Sequence, residues 1–455
     1  SKEKFMEQYN WIDYLKLRAA YGAVGNDASA GHYASWGYYW WGWSIGGTVS
    51  NLVPGQLAPS NLRWESTKTL DLALEGSLFD DRFTFSVGYY NKRNEDLLFW
   101  RSAAPSSGSL GNTVTAPQVL QNIGTMQNIG WELQFGVDIV RNKDFKWNFN
   151  IDASFLKNKI LSLPDEQDIP GQALFKGKSL YEIYTYEFAG VDKTNGRSLY
   201  YIDPESPDYY SYNDENQRVY NASLYATALK SASDNESLVC IDGKYYTYNT
   251  SYASRRIIGS SLPTVYGSFG TNFRWKGISL GMLFTYSLGG KTYDGNYAGL
   301  VGVGVSYPSA LHKDLLKAWS AKPEGIADHT PGSASYTYDG VSVDLAPAMG
   351  SAADIDPNGI PQLNSAYNGY NNASSSRYVV NNDYLIFKNL NVSYDLPETW
   401  VRALSLQNLN LGMSVDNLFI AAKRKGMNPQ YNFSGGQGQY FVPSRVFSFQ
   451  LTAKF

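Results

Sequence analysis

From Gly130 to Phe155 apolar and polar side chains alternate along two runs separated by one tight turn. Trp131, Leu133, Phe135, Val137 and Ile139 alternate with Glu132, Gln134, Gly136 and Asp138. After Arg141-Asn142-Lys143-Asp144, residues Phe145, Trp147, Phe149, Ile151, Ala153 and Phe155 alternate with Lys146, Asn148, Asn150, Asp152 and Ser154. Side chains alternate across a strand with period two, so each run is a strand with one apolar and one wet face. Each has about 10 residues, enough to cross a bilayer at the usual tilt, whereas soluble strands average about half that. Length therefore favours a transmembrane antiparallel β-barrel over a soluble sandwich.

The pattern recurs. Leu70, Leu72, Leu74 and Leu78 precede Phe79-Asp80-Asp81-Arg82, and Phe83, Phe85, Val87 and Tyr89 return. Val265 to Trp275 turns at Lys276-Gly277 into Ile278 to Tyr286, and Leu390 to Leu396 stops at Pro397 before Leu409 to Val415. The chain closes on Phe447, Phe449, Leu451, Ala453 and Phe455, a final strand with a terminal aromatic. Roughly ten crossings result, the first near Tyr14 to Tyr21. Long polar segments lie between them: Ala23 to Glu65, Trp100 to Asn128, Lys157 to Leu262, Gly289 to Asn382 and Asn417 to Pro443. Short turns alternating with long loops imply periplasmic turns and extracellular loops. Tyr181 to Tyr201 is expected to form small extended elements of its own, and Ala310 to Trp319 the one short helix.

Composition agrees. Aromatics are 15% of residues, with 36 Tyr and 12 Trp, an excess that aromatic belts at two membrane interfaces absorb. No stretch nears about 18 unbroken apolar residues, so spanning helices are not expected. Mean hydropathy is −0.35, as expected when only alternate residues face lipid. A formal charge of −3 gives no basic field for nucleic acid. The single Cys240 rules out an internal disulfide or a cysteine metal cage. The opening S-K-E-K-F-M-E-Q-Y-N is charged, without the apolar core of a signal peptide. A barrel must cross the inner membrane, so either the signal has been removed or the chain lacks its natural N-terminus. The second is preferred.

Few motifs suggest chemistry. Gly42-Trp43-Ser44-Ile45-Gly46 has the spacing of a nucleophile elbow, but G-T-V-S-N-L-V-P-G-Q follows, which cannot start the required helix. His32, His312 and His329 lack metal-binding spacing and read as polar loop residues. Asp354-Ile355-Asp356-Pro357-Asn358-Gly359 has a faint calcium-loop look without the alternating ligands or distal Glu, and a plain turn is the preferred reading. No catalytic, metal or cofactor residue is expected. The densest aromatic run, Trp36, Tyr38, Tyr39, Trp40, Trp41 and Trp43, can stack on sugar faces, pack under a partner, or form a packing core within the loop.

Several segments resemble a known family. Leu15 to Asn26, L-K-L-R-A-A-Y-G-A-V-G-N, resembles the L-K-L-R-x-S-Y-G-x-x-G-N segment of SusC/RagA-type TonB-dependent transporters. So do Asn61-Leu62-Arg63-Trp64-Glu65, Ile123 to Glu132, and Ala189-Gly190-Val191-Asp192. Tyr384 to Pro397, Asp416-Asn417-Leu418-Phe419 and the closing strand continue the series. The resemblance implies that residues 1–455 are the C-terminal portion of a 22-stranded barrel, with plug and N-terminal strands outside this chain. It implies a Gram-negative, Bacteroidetes-like outer membrane, and a non-enzymatic role in TonB-driven import of a large nutrient. The expected cargo is an oligosaccharide, with a peptide as the alternative; a passive porin or adhesin would share the strands without these segments. Implied partners are the N-terminal part of the transporter, a SusD-like surface lipoprotein, the TonB complex and lipid. Phe455 is implied to be the barrel-assembly signal.

Overall fold

Ten strands follow one another in a single antiparallel meander. The structure, a computed structural model, describes residues 8–28, 30–44, 50–59, 61–102, 118–302, 310–403, 405–424, 426–430, 436–437 and 443–455. The meander consists of β1 (Ile12–Asn26), β2 (Glu65–Leu78), β3 (Phe83–Ser102), β4 (Gln118–Arg141), β5 (Phe145–Ser162), β6 (Val265–Trp275), β7 (Ile278–Leu288), β8 (Tyr384–Asp395), β9 (Asn408–Ala422) and β10 (Val446–Lys454). Each pairs with its neighbours in sequence, and among the described residues β1 and β10 leave one edge each unpaired.

The turns fit their sequences. Lys276 and Gly277 both have positive φ, 45° and 88°, as a two-residue type I′ hairpin needs. Phe79, Asp80 and Asp81 are all left-handed; Asp tolerates that region, Phe much less readily.

Register separates the two faces. Phe135 pairs with Phe85 on β3 and Ile151 on β5, and Leu133 with Val87 and Ala153. Gln134 stands between Ser86 and Asp152 on the opposite face. The apolar face meets lipid; the polar face lines the lumen, where Glu132, Asp138, Asn148 and Asn150 also lie. Arg18 bridges Asp71 at 3.4 Å and Glu75 at 3.3 Å on that face. Asp152 accepts from the Ser268 amide at 2.8 Å, and Asn148 donates to Asp138 at 3.0 Å. Near the turns Asp138 and Asn148 line a recess of about 630 Å³ together with Asn150, Asn272, Arg274 and Asn391 among others. A bulge between Asp138 and Val140 places Val140, not Ile139, opposite Trp147.

Three strands are far longer than a bilayer crossing: β3 has 20 residues, β4 24 and β5 18. They continue as a hydrogen-bonded wall above the membrane, so the loop expected from Trp100 to Asn128 begins only after Ser102 and ends at Gln118. Likewise β1 extends to Asn26, β5 to Ser162 and β9 to Ala422, shortening the other expected loops.

The insertions after β5 and after β7 build one extracellular unit. Its seven-stranded sheet interleaves them: Leu238–Ile241 runs parallel to Ala348–Gly350, and Phe188–Asp192 antiparallel to Ile355–Asp356. The expected extended elements between Tyr181 and Tyr201 are present at Glu182–Tyr186, Phe188–Asp192 and Ser198–Tyr201. The expected helix at Ala310 to Trp319 is only a 3-10 segment, Lys313–Lys317. A true helix, α1 (Ala222–Asp234), lies elsewhere, with the Asn221 side chain accepting from the Leu224 amide. Its Tyr225, Leu229 and Ala232 pack on Ile202, Tyr209, Leu238 and Leu345 in one core.

Candidate ligand-binding site at the extracellular mouth

The first long loop leaves β1 at Asn26 and returns to β2 at Glu65. Within it Tyr38–Ser44 and Ser50–Gln56 form a hairpin, and Gln56 pairs with Gln118 at the top of β4. Trp36 and Tyr39 are each 65% exposed and Tyr38 41%; the Trp36 ring lies 5.6 Å from that of Tyr33. Trp40, Trp41 and Trp43 belong to the hairpin strand, pairing with Val53, Leu52 and Asn51, and their side chains lie outside the described features. Ser44 ends that strand and Ser50 begins the return. The elbow-like spacing therefore sits at a hairpin end, with Ile45 and Gly46 outside the described residues.

At the base of the loop is a cleft of about 580 Å³, lined by Asp27, His32, Ser35, Leu62, Arg63 and Trp64 with small residues between them. Trp64 is exposed, yet it covers Gly25 so closely that a Cβ there would stand 3.2 Å from its ring. Arg63 is fixed through its backbone: its amide donates to Asn122 Oδ1 at 2.7 Å, and Asn122 Nδ2 donates to its carbonyl at 2.8 Å. The same Nδ2 donates to the Asp96 carbonyl at 2.8 Å. Glu65 accepts from the Leu98 amide at 3.0 Å. The Asn61 to Glu65 segment thus clamps the loop to the β3–β4 wall and leaves one indole, one guanidinium and one imidazole around a polar cleft. Flat rings with polar groups at the margin can stack on a sugar face and bond its hydroxyls.

The sequence singled out the rings as a possible subsite; it named Arg63 and Trp64 only within the Asn61 to Glu65 segment and His32 only as a polar loop residue, and gave none of the three a binding role. His329 corrects the reading of the histidines as ordinary polar loop residues. Its Nδ1 lies 3.6 Å from Asp192 and its Nε2 3.6 Å from Asp354; both carboxylates are buried and the imidazole is 8% exposed. Asp354 also accepts from the Ser351 amide at 2.7 Å, and Asp356 from the Asn358 amide at 3.0 Å. Those carboxylates cap backbone amides, the plain-turn reading of that segment.

Beside Asp192, Arg197 stacks between Tyr248 at 4.2 Å and Tyr367 at 4.4 Å. Burial holds its guanidinium below the usual arginine range. Tyr248 donates to Asp192, and burial together with that carboxylate pushes its phenol well above the ordinary range. These contacts rigidify the extracellular unit. Phe455, 85% exposed, follows β10.

Residues 8–183 match the family described as TonB dependent receptor-like, beta-barrel. TonB-dependent receptor P3 of Formosa agariphila is 29% identical over 96% of this chain and 38% of its own length. TonB-dependent receptor SusC of Bacteroides thetaiotaomicron is 26% identical over 37% of this chain and 17% of its own. The chain thus spans about two fifths of the first of these relatives. Among solved structures the RagAB peptide transporter superposes with a TM-score of 0.67 at 20% identity, over 99% of this chain and 42% of that one, a likeness of fold. In barrel sequence and fold together, the chain is similar to the SusC/RagA-type TonB-dependent transporters, β-barrels of the Bacteroidetes outer membrane.

Proposed function

We propose that the protein takes part in TonB-dependent import of an oligosaccharide, together with a SusD-like lipoprotein over its extracellular face and a plug-bearing segment that contacts TonB. The observation that carries the cargo class is the exposed ring set of the first loop, Trp36, Tyr38 and Tyr39, beside the polar cleft of Trp64 and Arg63. Trp40, Trp41 and Trp43 belong to the proposed subsite by sequence. Peptide import is the second reading, supported by the fold shared with the RagAB peptide transporter. Calorimetry on the purified lipoprotein complex, with oligosaccharide and peptide pools in turn, separates the two. Trp36→Ala with Trp64→Ala should weaken glycan binding at least tenfold and leave lipoprotein docking intact. Normal glycan uptake by that variant, or a copurifying peptide held away from this loop, would favour the second reading.

A further inference from the structure

We propose that the outer rim of the barrel carries a site for the phosphates of outer-leaflet lipid headgroups, built from Lys68, Arg93, Lys157 and Lys159. The register sets these residues in two adjacent rows on the lipid-facing side. Lys68 on β2 pairs with Arg93 on β3, Arg93 with Gln127 on β4, and Gln127 with Lys159 on β5. One step toward the membrane, Leu70 pairs with Asn91, Asn91 with Ile129, and Ile129 with Lys157. The next step is apolar and aromatic: Leu72, Tyr89, Trp131 and Phe155. No register shift interrupts these rows, so the basic residues continue the face that carries Leu74, Val87 and Leu133.

Side-chain contacts confirm the shared face. Gln127 Nε2 donates to Asn91 Oδ1 at 3.0 Å. Glu95 accepts from Lys68 at 2.5 Å and forms an ion pair with Arg93 Nε at 3.0 Å, tethering both. Lys157 and Lys159 are exposed and have no ion-pair partner among the described residues. Four cations therefore stand against one carboxylate.

Their height is the second argument. From Phe145 at the turn to Lys157 the strand climbs about 40 Å at about 3.3 Å per residue. At the roughly 40° tilt of such barrels this is about 30 Å of height, the hydrocarbon thickness of a bilayer. Tyr89 and Trp131, with rings 5.1 Å apart, mark the interface just below. The cations thus lie at the level of lipid phosphates, outside the lumen. A nutrient in the pore cannot reach them, whereas a phosphorylated glycolipid with acyl chains on the apolar face can.

The test uses the full transporter complex purified from outer membranes, its barrel shown folded by heat-modifiable gel mobility. Native mass spectrometry follows binding of bisphosphorylated lipid A, phosphate-free lipid A and inorganic phosphate. The bisphosphorylated lipid should bind at least tenfold more tightly than the phosphate-free one, and less tightly as salt rises. Lys157→Gln with Lys159→Gln should remove most of that preference, and Lys157→Arg with Lys159→Arg should keep it. Equal binding of both lipids, an unchanged preference in the Gln variant, or saturation by inorganic phosphate that displaces the lipid would overturn the proposal.

Discussion

The Tyr286 hydroxyl reaches across Gly267, its cross-strand partner, and donates to the Asp152 carbonyl on the next strand at 3.0 Å. A Cβ on Gly267 would stand 2.0 Å from that carbonyl oxygen. The glycine lets three strands share one tyrosine. Gly267→Val should therefore destabilise the barrel by about 1–3 kcal/mol through overpacking, and Tyr286→Phe by about 1 kcal/mol through one lost bond. Urea unfolding midpoints in detergent measure both; a harmless Gly267→Val would show that the sheet relaxes there.

Phe135 stands between Phe85 and Ile151 on the lipid face. Phe135→Arg should cost about 2–4 kcal/mol in vesicles, as cations do near the midplane of such barrels. Gln134→Arg, one residue away on the lumenal face, should cost much less. Comparable penalties at the two positions would reverse the assigned faces.

The extracellular unit should be alkali-sensitive. Burial pushes Tyr246 and Tyr378 up to about 12, and lifts Tyr209, Tyr225 and Tyr248 as well. A phenol whose folded value is raised keeps its proton longer than the unfolded chain does. Stability is therefore fully present below pH about 10 and is lost as pH rises from there through the folded values. Absorbance at 295 nm should show these phenols ionising late and together with loss of near-UV ellipticity. Independent ionisation near pH 10 would contradict their burial.

Among the described residues β1 and β10 each leave one edge unpaired, with rows of backbone donors and acceptors that lipid cannot satisfy. The 455 residues expressed alone should aggregate, while co-expression with the plug-bearing segment proposed above should give a folded, heat-modifiable band. A monodisperse barrel from this chain alone is the contrary result.

Deleting Phe455 should reduce the amount of mature transporter in the outer membrane without changing transport per assembled molecule. Quantitative immunoblots of membrane fractions, set against uptake, measure both. Unchanged abundance would remove Phe455 from assembly.

The strands were legible because lipid outside and water inside enforce period two, as at Trp131 to Val137. Where both faces meet water the constraint disappears, so β3 and β4 were cut short at Trp100 and Asn128. Helix α1 showed its signal in the spacing of Tyr225, Leu229 and Ala232, masked by the alanines and serines between them. The pairing of Val239 with Ala348 left no local trace, because nothing near either residue specifies a partner so distant in sequence. The aromatic run was visible in the first loop, but the cleft at its base depends on Asn122 of strand β4 clamping Arg63.

The interleaving of the two insertions constrains the order of folding. The seven-stranded sheet needs Phe188–Asp192 from before the β6–β7 hairpin and Ile355–Asp356 from after it. Its core therefore cannot close until the chain that forms that hairpin has been synthesised, which makes its pairing one of high contact order and slow. Once closed, the sheet spans the hairpin like a yoke, and a pull on one insertion is borne by both.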